Sequence, residues 1–285
     1  MGTVWRAADE RLCRDVAVKE MTRAACLSAV DRETACRRAS REAAVAAGLS
    51  HRNVIQVFDV IEEDGWPWIV MELLPPWTLH DLIRQQGRLN PAQAAAVGLE
   101  VLAALRAAHA RGIVHQDVKP ANILIAPGRV VLTDFGIARV AGAAAPALAD
   151  ELIGSPSYIA PERAQGGQAG PPADLWGLGA SLYAAVEGRG PFDRGGDVQA
   201  SLAAAVTDDP EPAAHAGPLL WPVISGLLRK DPASRLAAAA AGEGLGRAAA
   251  VAVAAVAVAS ASGSASASAS VPGPRLPLAP AAARG

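Results

Sequence analysis

Ile113-Val114-His115-Gln116-Asp117-Val118-Lys119-Pro120-Ala121-Asn122-Ile123-Leu124-Ile125 decides how the rest of this chain is read, together with Val131-Leu132-Thr133-Asp134-Phe135-Gly136, which begins nine residues after Asn122. Two carboxylates, an amide and an ammonium sit in polar turns between short apolar runs, the way a reactive site is mounted on rigid elements. A hard cation such as Mg2+ takes carboxylate and amide oxygens and keeps water or phosphate as its other ligands, a shell that Asp134 and Asn122 could supply. Asp117 is then left to accept a proton from an attacking hydroxyl. Lys119 is suited to neutralise charge developing on a transferred phosphoryl group.

Outward from this segment the pattern changes character once. Before it, Thr3–Ala8 and Asp15–Met21 alternate in the β manner around a polar turn, and Asn53–Glu62 and Trp66–Leu73 are strand-like runs separated by a Glu-Asp-Gly turn. Between the two pairs, Asp31–Leu49 is rich in Arg and Ala and predicts a helix. After Pro75-Pro76, Asn90 caps a helix that has Pro91 at its first position and runs through Ala110 to Gly112. Further helices are expected at 173–187, 197–206, 218–229 and 233–240. Strands first and helices afterwards predict an α+β protein with a small antiparallel sheet lobe and a larger helical lobe.

At these residues the chain resembles the eukaryotic-type (Hanks-type) serine/threonine protein kinases of bacteria. The catalytic-loop pattern His-Arg-Asp-x-Lys-x-x-Asn is matched at every position but one, Asp134-Phe135-Gly136 is complete, and Ala160-Pro161-Glu162 supplies the third signature. The resemblance covers residues 1–240, with a sheet lobe over about 1–74 and a helical lobe over about 75–240. It implies a two-lobed kinase fold and transfer of the γ-phosphoryl group of ATP to protein Ser or Thr hydroxyls, with Mg2+, or alternatively Mn2+, as cofactor. Asp117, Lys119 and Asn122 would be catalytic, and Asn122 with Asp134 would hold metal. Val16-Ala17-Val18-Lys19 looks like the strand carrying the ATP-binding lysine, and Glu42 like its ion-pair partner. Met71 would guard the back of the adenine pocket, Glu72 and Leu74 would offer backbone groups to the base, and Gly2, Val4, Ala17 and Leu124 would complete the ATP site. His115 is implied to stack with Phe135 rather than to act as acid or base. Asp174 would brace the catalytic-loop backbone, Arg235 would pair with Glu162, and Ser155 would lie in the segment that seats the residue beside the acceptor. Lys119, two residues after Asp117, looks like the serine/threonine branch.

The chain departs from the family pattern in two places. Of the glycine-rich loop only Gly2-Thr3-Val4 is present, so the strand and the two glycines that would precede it are absent from this sequence. A start placed too late is the expected explanation, since an open sheet edge leaves backbone groups unpaired; a natural shortening with impaired ATP binding is the alternative. In the second place, Gln116 stands where the family has arginine, and a neutral amide cannot replace a forked cation that reads a phosphate. The stretch from Phe135 to Ile153 correspondingly contains no Ser, Thr or Tyr. Little dependence on activation-loop phosphorylation is expected. The rival to an active enzyme is a pseudokinase that uses the fold as a scaffold or nucleotide sensor; a phosphotransferase acting on small molecules fits Ala160-Pro161-Glu162 less well.

Composition bounds the remaining questions. The 26 Lys+Arg balance 28 Asp+Glu to a net charge of −2, which argues against a nucleic-acid partner held by bulk charge. Hydrophobic residues at 51% with charged ones at 19% describe a globular chain. Phe, Trp and Tyr together number only 11, so aromatic anchors are few. Cys13, Cys26 and Cys36 have no metal-ligand spacing and read as reduced thiols. The histidines at 51, 80, 109 and 215 read as surface or helix residues. The opening residues lack an apolar signal core, so a cytoplasmic location is expected. Residues 241–285, rich in Ala, Ser and Pro, are expected to form a disordered low-complexity tail. Its apolar run, Ala248–Ala259, is 12 residues, about 18 Å as a helix against a hydrocarbon core of about 30 Å, so a membrane-spanning role is not expected.

Overall fold

The computed structural model describes residues 3–20, 47–63, 66–135, 156–168 and 170–262. Strands β1 (Thr3–Asp9), β2 (Arg14–Glu20), β3 (Val57–Glu63) and β4 (Trp66–Glu72) form one antiparallel sheet in the order β1-β2-β4-β3. The register pairs Val4 with Lys19 and Lys19 with Ile69, then Arg6 with Ala17 and Ala17 with Met71. Cross-strand partners share a face, so Val4, Ala17, Lys19 and Met71 lie on the same side of the sheet. The helix expected at 31–49 falls, except for its last residues, outside the described residues.

The strand expected from Asn53 begins instead at Val57. Residues 53–55 are taken by a different partner: Val54 bridges Leu132 in parallel, Leu132 N–H donates to Asn53 O at 2.8 Å, and Ile55 N–H donates to Leu132 O at 3.0 Å. The alternation of side chains is the same in either role, so sequence pattern alone could not separate the strap at 53–56 from the strand that follows it.

The helical lobe is built on α1 (Leu79–Gln86), α2 (Pro91–His109), the short α3 (Pro161–Ala164), α4 (Pro171–Glu187), α5 (Val198–Thr207), α6 (Gly217–Leu227) and α7 (Ala238–Ser262). Asn90 and Gln93 close a capping box on α2, with Pro91 at its first position, and Thr78 and Asp81 do the same for α1. Helix α4 is buried along every residue from Ala173 to Val186, which makes it the axis of this lobe. Trp176 on this helix stacks with Phe192, with ring centroids 5.5 Å apart and planes 9° apart. A two-stranded hairpin, β5 (Ile123–Ala126) and β6 (Arg129–Leu132), turns at Gly128, whose φ of 73° needs a residue without Cβ.

Helix α7 runs through the boundary expected at residue 240, where a disordered tail was expected to begin. Ala241, Leu245 and Ala248 are buried, and Leu245 reaches the surface of α2 at Gly98, where an added Cβ would lie 3.2 Å from its Cδ2. Alanine is the strongest helix former and its small side chain permits close packing, so this composition builds a wall of the core. Among the described residues, no helix is long and apolar enough to cross a membrane.

Candidate active site

The turn between α2 and β5 gathers three of the expected catalytic side chains. Lys119 Nζ lies 2.8 Å from Asp117 Oδ2, and Asn122 Nδ2 donates to the same oxygen at 3.0 Å and to the Asp117 backbone carbonyl at 2.8 Å. Both side-chain donors converge on Oδ2, and Oδ1 carries neither bond. Lys119 is nearly buried, whereas the Asp117 side chain is 44% exposed and open to an incoming group. Because the Asn122 amide nitrogen faces Asp117, its side-chain oxygen is turned away and remains a hard donor.

The β5–β6 hairpin carries Asn122 and Asp134 at adjacent ends. Asn122 immediately precedes β5, Asp134 follows β6 by two residues, and Thr133 N–H donates to Asn122 O at 3.0 Å across the mouth of the hairpin. Asp134 has φ of 64°, an uncommon conformation for a residue with a Cβ, and its Oδ1 lies 2.5 Å from Lys19 Nζ. This pair joins the sheet lobe to the helical lobe. Glu42, the expected partner of Lys19, lies outside the described residues, as do Gly2, Gly136 and Ser155. A carboxylate and an outward amide oxygen at one hairpin mouth are the donor set that suits a hard divalent cation.

The expected adenine residues also come together. Ala17, Met71 and Val131 are buried in one cluster with Ile55, and Leu74 and Leu124 pack against it. Val4 is on the same face of the sheet and is 55% exposed. Glu72 N–H donates to Gln56 O at 2.9 Å. The Glu72 carboxylate accepts from Gln56 N–H at 3.0 Å and pairs with Arg129, which turns its side chain away from the cluster.

The turn holding Asp117 is braced from below. Asp174, fully buried on α4, accepts from His115 N–H at 2.8 Å and Gln116 N–H at 2.7 Å. Gln116 sits at φ of 70°, and these two bonds hold it there. His115 is buried, its ring centroid is 4.6 Å from that of Phe135, and its Nε2 faces Thr133 O at 2.9 Å while its Nδ1 accepts from Asp117 N–H at 3.2 Å. A carbonyl only accepts, so Nε2 carries the hydrogen. Arg235 uses all five guanidinium N–H groups: two reach Glu162 at 2.7 and 2.9 Å, and the others reach Pro172 O, Lys230 O and Arg229 O.

One residue of this framework is not legible from spacing. His109, expected to be an ordinary helix or surface residue, ends α2 with Nε2 2.7 Å from Asp174 Oδ2 and its side chain 13% exposed. It supplies the third contact to the buried carboxylate. His51 and His215 also have partners, Asn53 N–H and Glu187 respectively, and His80 is exposed.

This geometry coincides with a family match over nearly the whole chain: the model for the protein kinase domain fits residues 1–243. The chain belongs to the protein kinase family. The kinase domain is 38% identical over 202 residues to the serine/threonine-protein kinase PkaA of Streptomyces coelicolor, covering 70% of this chain and 37% of that protein. It is 38% identical over 245 residues to PknA of Mycobacterium tuberculosis, covering 82% of this chain and 55% of that one. Against PrkC of Bacillus subtilis the identity is 37% over 194 residues, covering 68% and 29%. The chain thus spans from under a third to about half the length of these relatives. Its sheet and helical lobes are those of the two-lobed kinase fold.

Proposed function

We propose that the chain is a serine/threonine protein kinase that transfers the γ-phosphoryl group of ATP to protein hydroxyls with Mg2+ as its metal. The observation that carries this reading is the convergence of Lys119 and Asn122 on one oxygen of Asp117, which leaves the other oxygen without either bond on a side chain that is 44% exposed. Asp117 orients the acceptor hydroxyl and takes its proton at Oδ1. Lys119 moves from the carboxylate to the transferring phosphoryl group, where its charge matches the charge that develops. Lys19 fixes the ATP phosphates, and Ala17, Met71, Leu74 and Leu124 hold the adenine. Asn122 and Asp134 would hold the metal, which would supply positive charge to neutralise the phosphates. The serine/threonine names of the relatives support the acceptor class, and ATP as donor places the reaction in the cytoplasm.

The test is Mg2+-dependent transfer of labelled phosphate from ATP to a generic basic protein, comparing the chain with Asp117→Asn and with a version extended by a complete glycine-rich loop. Transfer by the chain that Asp117→Asn abolishes establishes the reading. Transfer only by the extended version assigns the activity to a longer protein. If neither transfers, the fold is acting as a scaffold.

A further inference from the structure

We infer that Asn53, held by Glu100, is a positioning residue that sets Asp134 opposite Lys19, an inference that rests on the reading of Asp134 as the metal-holding carboxylate. Strand β6 delivers Asp134, and it is bonded along both edges. One edge is β5. The other is the strap at 53–56, which precedes the sheet strand β3; its Ile55 is part of the adenine cluster, whereas Asn53 belongs to neither that cluster nor the catalytic turn.

The strap is fixed at a single buried amide. Asn53, 3% exposed, donates through Nδ2 to Val130 O at 2.8 Å and to Glu100 on α2. The same Glu100 oxygen, Oε2, accepts from Val130 N–H at 3.1 Å, and Asn53 O accepts from Leu132 N–H at 2.8 Å. Asn53 and Glu100 therefore hold the backbone of β6 at Val130 and Leu132, and the next residue in that alternation is Asp134. Carboxylates accept and amides donate, so the polarity of the node is defined: Asn53 supplies the hydrogens and Glu100 the lone pairs. Helix α2 carries Glu100 and also ends in His109, so the catalytic turn and Asp134 are referenced to one rigid element. A mis-set Asp134 shifts the metal ligand relative to Lys19, and a displacement well below 1 Å is enough to slow transfer.

The test reverses the polarity. Asn53→Asp keeps the shape but sets a carboxylate against Glu100 and Val130 O, and Asn53→Asp with Glu100→Gln restores the side-chain donor–acceptor pair only, with Val130 O still facing the carboxylate, so the rescue is partial. Steady-state kinetics at varied Mg2+ and hydrogen exchange of the full chain are the readouts. Asn53→Asp is expected to lower kcat about 10-fold and raise the Mg2+ concentration for half-maximal rate about 3-fold, leaving the KM for protein substrate within about 2-fold. Amides of 130–134 should exchange faster while those of α4 stay protected. The double variant should recover at least about a third of the lost kcat. Unchanged kcat and Mg2+ dependence overturn the inference, as does faster exchange spread equally over α4. If Asn53→Asp does not fold, Glu100→Gln alone carries the same comparison with a smaller effect in the same direction. Retained Mg2+-dependent transfer by Asp134→Asn would instead remove the reading of Asp134, and the exchange pattern would still show whether the strap holds β6.

Discussion

Replacing Asp174 with Asn tests the brace beneath the catalytic turn with almost no change in volume. In the parent, Oδ1 accepts from Gln116 N–H and Oδ2 from His115 N–H and His109. An asparagine has one acceptor atom, so whichever way the amide lies, one backbone N–H of the turn faces an NH2 group. The loss of a charge-assisted bond and the donor left unpaired in a fully buried site cost about 3 kcal/mol. Gln116 then keeps a left-handed conformation worth roughly 1 kcal/mol of strain with half of its restraint gone. For a domain of this size each kcal/mol moves the melting midpoint by about 2–4 °C, so a fall of about 6–12 °C is expected. Calorimetry gives that number. Kinetics well below the midpoint should show kcat down about 10- to 100-fold, with the KM for ATP little changed because the adenine cluster does not touch Asp174. A variant melting within about 2 °C of the parent with unchanged kcat would refute the brace.

Four further outcomes are expected. A Cβ on Gly177 would stand 2.6 Å from Val118 O and 2.8 Å from Val118 Cβ, so Gly177→Ala should cost about 1–3 kcal/mol in thermal melts and lower kcat, because Val118 lies between Asp117 and Lys119. Gly246→Ala on α7, with nothing within 4 Å of the added atom, should instead stabilise by about 0.5–1 kcal/mol in the same melts. Lys230, whose ammonium sits over Phe192 and donates to Ala205 O, is pushed down to about 8, chiefly by burial. Its folded value lies below its unfolded one, so the unfolded chain binds the extra proton between about pH 8 and 10.5; stability gains from this group as pH rises through that window, and Lys230→Met should flatten that part of the stability curve. Finally, Gln116→Arg should leave activity insensitive to phosphatase treatment, because 136–152 offers no hydroxyl to phosphorylate; a strong new sensitivity would sink that expectation.

The meeting of Asp117, Lys119 and Asn122 was legible because the chemistry expected of them asks for particular residue types in a fixed order within a few residues, and they come together through a local turn. Glu162 and Arg235 are 73 residues apart and were legible only through the resemblance. His109 was not, since its partner Asp174 is 65 residues away and a lone histidine in an alanine-rich helix has no local signal. Asn53 and Glu100, 47 residues apart, were hidden for the same reason, and the apolar alternation around Asn53 disguised a strap as a strand. Composition misled over the first residues after 240: low complexity suggests disorder, but in a helix packed against another, as at Ala241, Leu245 and Ala248, alanine and glycine are what permit close approach.

That last packing fixes where α7 is rooted. Gly242 lies where an added Cβ would be 3.5 Å from Leu102 on α2, and Leu102 precedes His109 by seven residues, about 10 Å of helix. The start of α7 is therefore anchored one short lever from the carboxylate that holds the turn at Asp117, and a cut before Ala241 would strip that lever of its backing.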